Sequence, residues 1–129
     1  MHNFRQLQIW NEGMQIAKAT YLILGNLPPS EKFGLVSQIS RCAISVPSNI
    51  AEGSSRSSNK EFAHFLSIAL GSLFELETQL LLSIELGLIK ADLEDLLSSI
   101  IQLEKRFQLL KRHYYKIFDS GTLSLFFVP

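Results

Sequence analysis

The chain has a single cysteine, Cys42, and no second thiol to pair with it. An intramolecular disulfide is therefore excluded, which fits a reducing compartment. It also has no net charge, with 12 Lys and Arg against 12 Asp and Glu. That balance excludes a uniformly basic nucleic-acid binder, so any phosphate-binding surface has to be a local patch. The histidines are few and scattered, at His2, His64 and His113. No glycine-rich loop is present to cradle a phosphate. No serine stands on a strained turn beside a histidine. The start, Met1-His-Asn-Phe-Arg, lacks the basic-then-apolar plan of a signal peptide. No uninterrupted apolar run approaches the roughly 20 residues of a membrane span, and Leu80-Leu-Leu-Ser-Ile-Glu-Leu is broken by Glu85. The expectation is a cytoplasmic protein without a membrane segment. Alternating strand patterns, hairpin signals and solenoid-length repeats are lacking too.

What is present is apolar helix. The 129 residues are 47% hydrophobic and 19% charged, and mean hydropathy is +0.17. That suits one domain with a real core. It is apolar for a small monomer, so outer faces are expected to be buried by self-association. The first helix is expected from about Phe4 to Leu24. Leu7, Trp10, Met14, Ala17, Tyr21 and Leu24 carry the bundle-core spacing, and Ile9, Ile16 and Ile23 form a second stripe. Leu27-Pro28-Pro29 stops it. Ser30 is the expected cap of a second helix reaching about Ala51. Ser58-Asn-Lys-Glu61 reads as a capping box for a third helix, whose core stripe is Phe62, Leu66, Ala69, Leu73, Leu76 and Leu80. Ala69, Gly71 and Ser72 are small enough to admit another helix, and Gly87 is the expected stop. The fourth helix is expected from about Asp92 to Phe118, with Leu93, Leu96, Ile100, Leu103, Phe107, Leu110, Tyr114 and Ile117 inside. Four long helices on short connections imply an all-α, antiparallel up-down-up-down four-helix bundle over 1–118. An apolar tail, 119–129, follows. Lying on its own bundle, docking on a neighbour and disorder are all open to it.

One stretch breaks the helical pattern. Ser45-Val-Pro-Ser-Asn-Ile-Ala-Glu-Gly53 places a proline mid-helix, where a kink is expected at Pro47, and a glycine where the helix is expected to end. Arg41, Ser45, Ser48 and Glu52 share one face, with Asn49 at its border. This is either a solvated face or a half-buried polar network that fixes a subunit contact. The residues proposed for such a network are Arg41, Ser45, Pro47, Asn49, Glu52 and Arg56.

The same stretch carries a resemblance. Gly34-Leu-x-x-Gln38-Ile-x-Arg41, Ser45-Val-Pro-Ser-Asn-Ile-Ala-Glu-Gly53, Arg56 and Phe65-Leu-x-x-Ala69-x-Gly71-Ser-x-x-Glu75-Leu-Glu77 resemble the four helix bundle protein family, also called the 23S rRNA intervening-sequence proteins. The resemblance runs from about Phe4 to Tyr114. It implies an up-and-down bundle that assembles as a ring, commonly a homopentamer. Some members are encoded within intervening sequences of bacterial large-subunit rRNA genes. A related protein, the accessory variability determinant of diversity-generating retroelements, is basic and partners a reverse transcriptase and nucleic acid. The zero net charge here departs from that relative, and the tail after Asp119 lies outside the family pattern.

Catalytic chemistry finds little support. Glu61-Phe-Ala-His64 has the Glu-x-x-His spacing of di-iron bundles, but His113 has Leu110 three residues before it, so a second such motif is missing. The plainer reading gives Glu61 to the cap and His64 to the surface. Cys42 falls beside apolar positions, as an inert core cysteine does. No enzyme, cofactor or metal site is expected. Charge is uneven, however. Seven acids stand against Lys90 between Glu75 and Glu104, and then come Lys105, Arg106, Lys111, Arg112 and Lys116 with no acid. Matching of the helix dipole explains much of this. The functional reading is a phosphate-binding patch repeated by a ring. The leading expectation is thus a non-catalytic oligomeric scaffold associated with RNA or DNA. The alternative is an adaptor ring for a protein partner, and a di-metal bundle enzyme is remote.

Overall fold

The computed structural model describes residues 2–117, with side chains described through residue 113. Among them every regular element is helical and no strand occurs. A 3-10 turn at Phe4–Gln6 leads into α1, Gln8–Ile23. Two more 3-10 turns, Leu24–Asn26 and Pro29–Glu31, lead into α2, Leu35–Ser54. The chain continues as α3, Asn59–Glu85, and α4, Glu94–Ile117. Packing closes a circuit of α1 on α2, α2 on α3, α3 on α4 and α4 on α1, with α2–α3 the most extensive seam.

The helix ends follow local chemistry. At the start of α3, Ser58 Oγ accepts from Glu61 N at 3.1 Å and lies 3.2 Å from Glu61 Oε2. At its end, Gly87 takes φ 71°, the one positive φ among the described residues. Gly87 N donates to Ile84 O and Leu88 N to Ser83 O, the two bonds of a Schellman motif. Before α4, Asp92 Oδ1 accepts from Glu94 N at 2.9 Å. The expected cap at Ser30 does not occur. Ser30 sits in the Pro29–Glu31 turn, and α2 begins only at Leu35, where Glu31 Oε2 accepts the Leu35 N–H at 3.3 Å.

The core stripes of the last two helices stand as read through Leu110. Phe62, Leu66, Ala69, Leu73, Leu76 and Leu80 are buried, as are Leu93, Leu96, Ile100, Leu103, Phe107 and Leu110. Each fully buried large side chain contributes about 1.5–3 kcal/mol. Along α1 the inward face lies nearer the second expected stripe, while Leu7 of the first is buried and Trp10, Ala17 and Leu24 pack half-buried against the core. Ile9, Gly13, Ile16 and Thr20 face inward, while Met14 and Tyr21 are 43% and 48% exposed. Two inward residues carry no large apolar group. Thr20 is buried because its hydroxyl donates to Ile16 O at 2.7 Å. Gly13 is buried because a Cβ there would lie 3.3 Å from Val46 Cγ1 and 3.6 Å from the Pro47 backbone, so α2 approaches closely.

Gly53 also differs from expectation. It lies inside α2 and is buried. A Cβ on it would fall 2.7 Å from Phe65 Cβ and 2.9 Å from Phe62 Cδ2. Its role is close packing of α3, and α2 runs on to Ser54. Among the described residues α3 alone is long and apolar enough to cross a membrane. Here its apolar stripe faces the other helices. The 119–129 tail lies outside the described residues, as do the side chains of Tyr114, Lys116 and Ile117.

Candidate functional site

The polar residues of α2 separate into two groups. In the middle of the helix, Ser45 Oγ lies 2.8 Å from Ser72 Oγ of α3. The Asn49 amide donates to both Ser45 O and Ser45 Oγ at 2.8 Å. All three are half-buried or buried, so each hydrogen bond avoids the cost of an orphaned polar group. Pro47 is buried one residue pair away, against α1. Arg41 and Ser48 are exposed and take no part. Of the six residues proposed for one network, Ser45 and Asn49 are brought together, and the partner they find is Ser72.

The second group sits where α2 turns into α3. Glu52 Oε1 accepts from Arg56 NH2 at 2.9 Å. The Arg56 guanidinium lies 4.8 Å from the centre of the Phe65 ring, a cation–π contact. Gly53 beneath makes room for Phe65 and Phe62. His2 joins from the N-terminal segment. Its N–H donates to Ser54 O at 2.8 Å, and its ring lies 5.3 Å from Phe62. Burial is the main cause that lowers the His2 pKa.

Two glutamates of α3 reach in opposite directions. Cys42 Sγ donates to Glu75 Oε2 at 3.4 Å, toward α2. Burial, then Glu75, push the Cys42 thiol up to about 11, so it stays protonated and unreactive at neutral pH. Glu77 instead meets Glu104 of α4, which is buried. Sequence reading missed this contact, although a signal existed. Glu104 follows Ile100 by four residues and precedes Phe107 by three, which puts it on the apolar face.

The basic end of α4 is smaller than its sequence suggests. Arg106 Nε is bound to Glu12 Oε1 of α1 at 3.0 Å. That leaves Lys105, Lys111 and Arg112 exposed, while the Lys116 side chain lies outside those described. Beyond this bridge α1 and α4 diverge into an open groove of about 670 Å³. Ile16, Ile23, Leu93 and Leu96 form its floor and Asp92 and Asp95 part of its rim.

With these contacts in place, the comparison with protein families is decisive. The profile of the 23S rRNA-intervening sequence protein family matches residues 5–108. The chain belongs to that family. No curated protein matches it. The matched span contains the α2 network, Arg56 with Glu52 and Phe65, and both α3 glutamates, and it ends before Lys111. In this family member the Pro-Ser-Asn-Ile-Ala-Glu-Gly run therefore serves packing. Asn49 holds Ser45, which meets Ser72 of α3, Gly53 lets α3 approach, and Pro47 lies against α1. The family is not one of known enzymes. Glu61 is engaged by its cap, and His64 is exposed. Among the described residues no three His, Cys, Asp or Glu side chains gather around one point.

Proposed function

We propose that the protein is a non-catalytic helical scaffold that self-associates. Its bundle runs antiparallel, up-down-up-down, with α2 bent at Pro47, which has no N–H to continue the ladder. The observation that carries self-association is the apolar outer surface of α2 and α3. Ile44, Ile68, Phe74, Leu81 and Leu82 are each 39–47% exposed. Scattered exposed leucines are ordinary, but this many on two adjoining helices favours a protein partner. Gly71 adds to this, because nothing lies within 4 Å of where its Cβ would be. A neighbouring helix has room to approach there. The occupant we propose is a second copy, in a ring of five as the family resemblance implies. Arg41, exposed on the same helix as Ile44, is the proposed polar contact. Light scattering at micromolar concentration tests this. A mass near five times 14.6 kDa supports the ring, and a monomeric mass rejects self-association.

The ring is proposed to work in the cytoplasm beside RNA or DNA. Family membership and the exposed Lys105, Lys111 and Arg112 support that reading. Fluorescence anisotropy with structured RNA and duplex DNA, at low and near-physiological salt, tests it. Tight binding should weaken steeply with salt. Replacing Lys105, Arg112 and Lys116 by glutamine should flatten that slope. The second reading, an adaptor ring for a protein partner, is favoured by the Arg106–Glu12 bridge, which withdraws one base from the patch. Absence of binding at low salt would select it.

A further inference from the structure

The interior stripe of α4 contains one ionisable side chain among its apolar neighbours. Glu104 is 5% exposed, and its Oε1 is buried without a hydrogen-bond partner. Across the seam the group that faces it is the Glu77 carboxyl of α3, which adds to burial in raising the Glu104 pKa. A carboxylate cannot donate, so a hydrogen bond between two carboxyl groups needs one of them to hold a proton. Two ionised carboxylates facing each other away from water would repel strongly. We propose that Glu77 and Glu104 form a titratable latch between α3 and α4, closed while the pair shares one proton and loosened when both are ionised. This device is independent of the proposed ring and of nucleic acid.

Among the described residues neither carboxyl has a cationic partner within ion-pair distance. From α3 the facing ionisable group is Glu77. From α1 the nearby charge is Glu12, and Arg106 already holds it at 3.0 Å. On α4 itself Lys105, Lys111 and Arg112 are exposed. Burial first, and Glu77 second, push the Glu104 carboxyl up to about 8.

The sign follows from linkage. In the unfolded chain Glu104 loses its proton near the ordinary glutamate value, about 4.3. The folded protein keeps that proton until about pH 8. Between these values the native state binds one more proton than the unfolded state. The unfolding constant therefore rises about tenfold per pH unit across the window, then levels off above it.

The test uses the full chain at one fixed concentration. Carboxyl ¹³C NMR follows the Glu104 and Glu77 titrations in the unmodified protein, and amide exchange follows α4 from pH 5 to 9. Denaturant unfolding over the same range compares it with Glu104→Gln and Glu77→Gln. The latch requires a Glu104 midpoint well above the ordinary range and faster exchange in α4 as Glu104 ionises. It also requires loss of the excess pH slope in Glu104→Gln. In Glu77→Gln the Glu104 midpoint should fall, because the amide can donate to the ionised carboxylate. A Glu104 titration in the ordinary range would overturn the latch. So would equal slopes in wild type and Glu104→Gln. An unmoved Glu104 midpoint in Glu77→Gln would show that burial acts alone, and the shared proton would be rejected.

Discussion

The two seams made by α3 are built on different chemistry. Toward α2, neutral groups lead the polar contacts: Ser45 meets Ser72, with Asn49 holding Ser45 from inside α2, and the protonated Cys42 thiol donates to the Glu75 carboxyl. Toward α4, the polar contact is between two carboxyl groups, Glu77 and Glu104. Hydroxyls and amides carry donors and acceptors at every ordinary pH, so the Ser45–Ser72 contact holds regardless of acidity. Carboxyl groups lose their only donor on ionisation, so in the proposed latch the Glu77–Glu104 contact holds only while a proton is present, and apolar packing carries the rest of that seam. One helix thus has a permanently fastened side and a conditional one. The Glu75-Leu-Glu77 run supplies a carboxyl to each seam.

The largest expected effect breaks the comparison on its conditional side. Raising the pH from 5 to 8 should cost wild type on the order of 3 kcal/mol more than Glu104→Gln, measured by denaturant unfolding. Mutations in the α2–α3 seam should leave that difference unchanged. Next comes Gly53→Ala. The new methyl would sit 2.7 Å from Phe65 Cβ, an atom with no freedom to swing away. A loss of about 2 kcal/mol is expected despite the better helix propensity, read as a lower denaturation midpoint at every pH. Ser72→Ala should cost about 1 kcal/mol, also independent of pH, because Ser45 Oγ loses one partner and keeps Asn49. A pH-dependent loss would show that the neutral seam is coupled to the carboxyl pair.

The smallest change sharpens the picture outside the subunit. Gly71→Ala meets open space, so helix propensity alone should raise the stability of the separated subunit by about 0.5–1 kcal/mol. In the proposed ring the same methyl would sit where a second copy packs. The assembly should then weaken, visible as a lower mass on dilution in light scattering. A stabilised protein with unchanged mass would place the subunit contact elsewhere.

Much of the fold was legible in the sequence because its signals are local. Ser58 with Glu61, Gly87, and the long stripes of α3 and α4 act within one or two helical turns. The first helix misled because periodicity counts large apolar residues. Its true inner face is built around Gly13 and Thr20, which score poorly and are buried for reasons of space and self-satisfied hydrogen bonding. Gly53 misled in the same way, since a glycine near a helix end resembles a cap until Phe65 is placed against it. The candidate site was half legible. Ser45 and Asn49 belong together, but Ser72 is 27 residues from Ser45 in the chain. Arg106 was grouped with the other bases although it is neutralised from α1.

By itself the sequence determined the helices, most of their ends, the apolar stripes and the family, because these depend on the order of neighbouring residues. The tertiary structure decided which stripe of α1 turns inward, which polar residues become partners, and that Glu77 confronts Glu104. Those outcomes depend on which distant surfaces come within 3–4 Å, and there burial converts ordinary side chains into protonated, satisfied or orphaned groups.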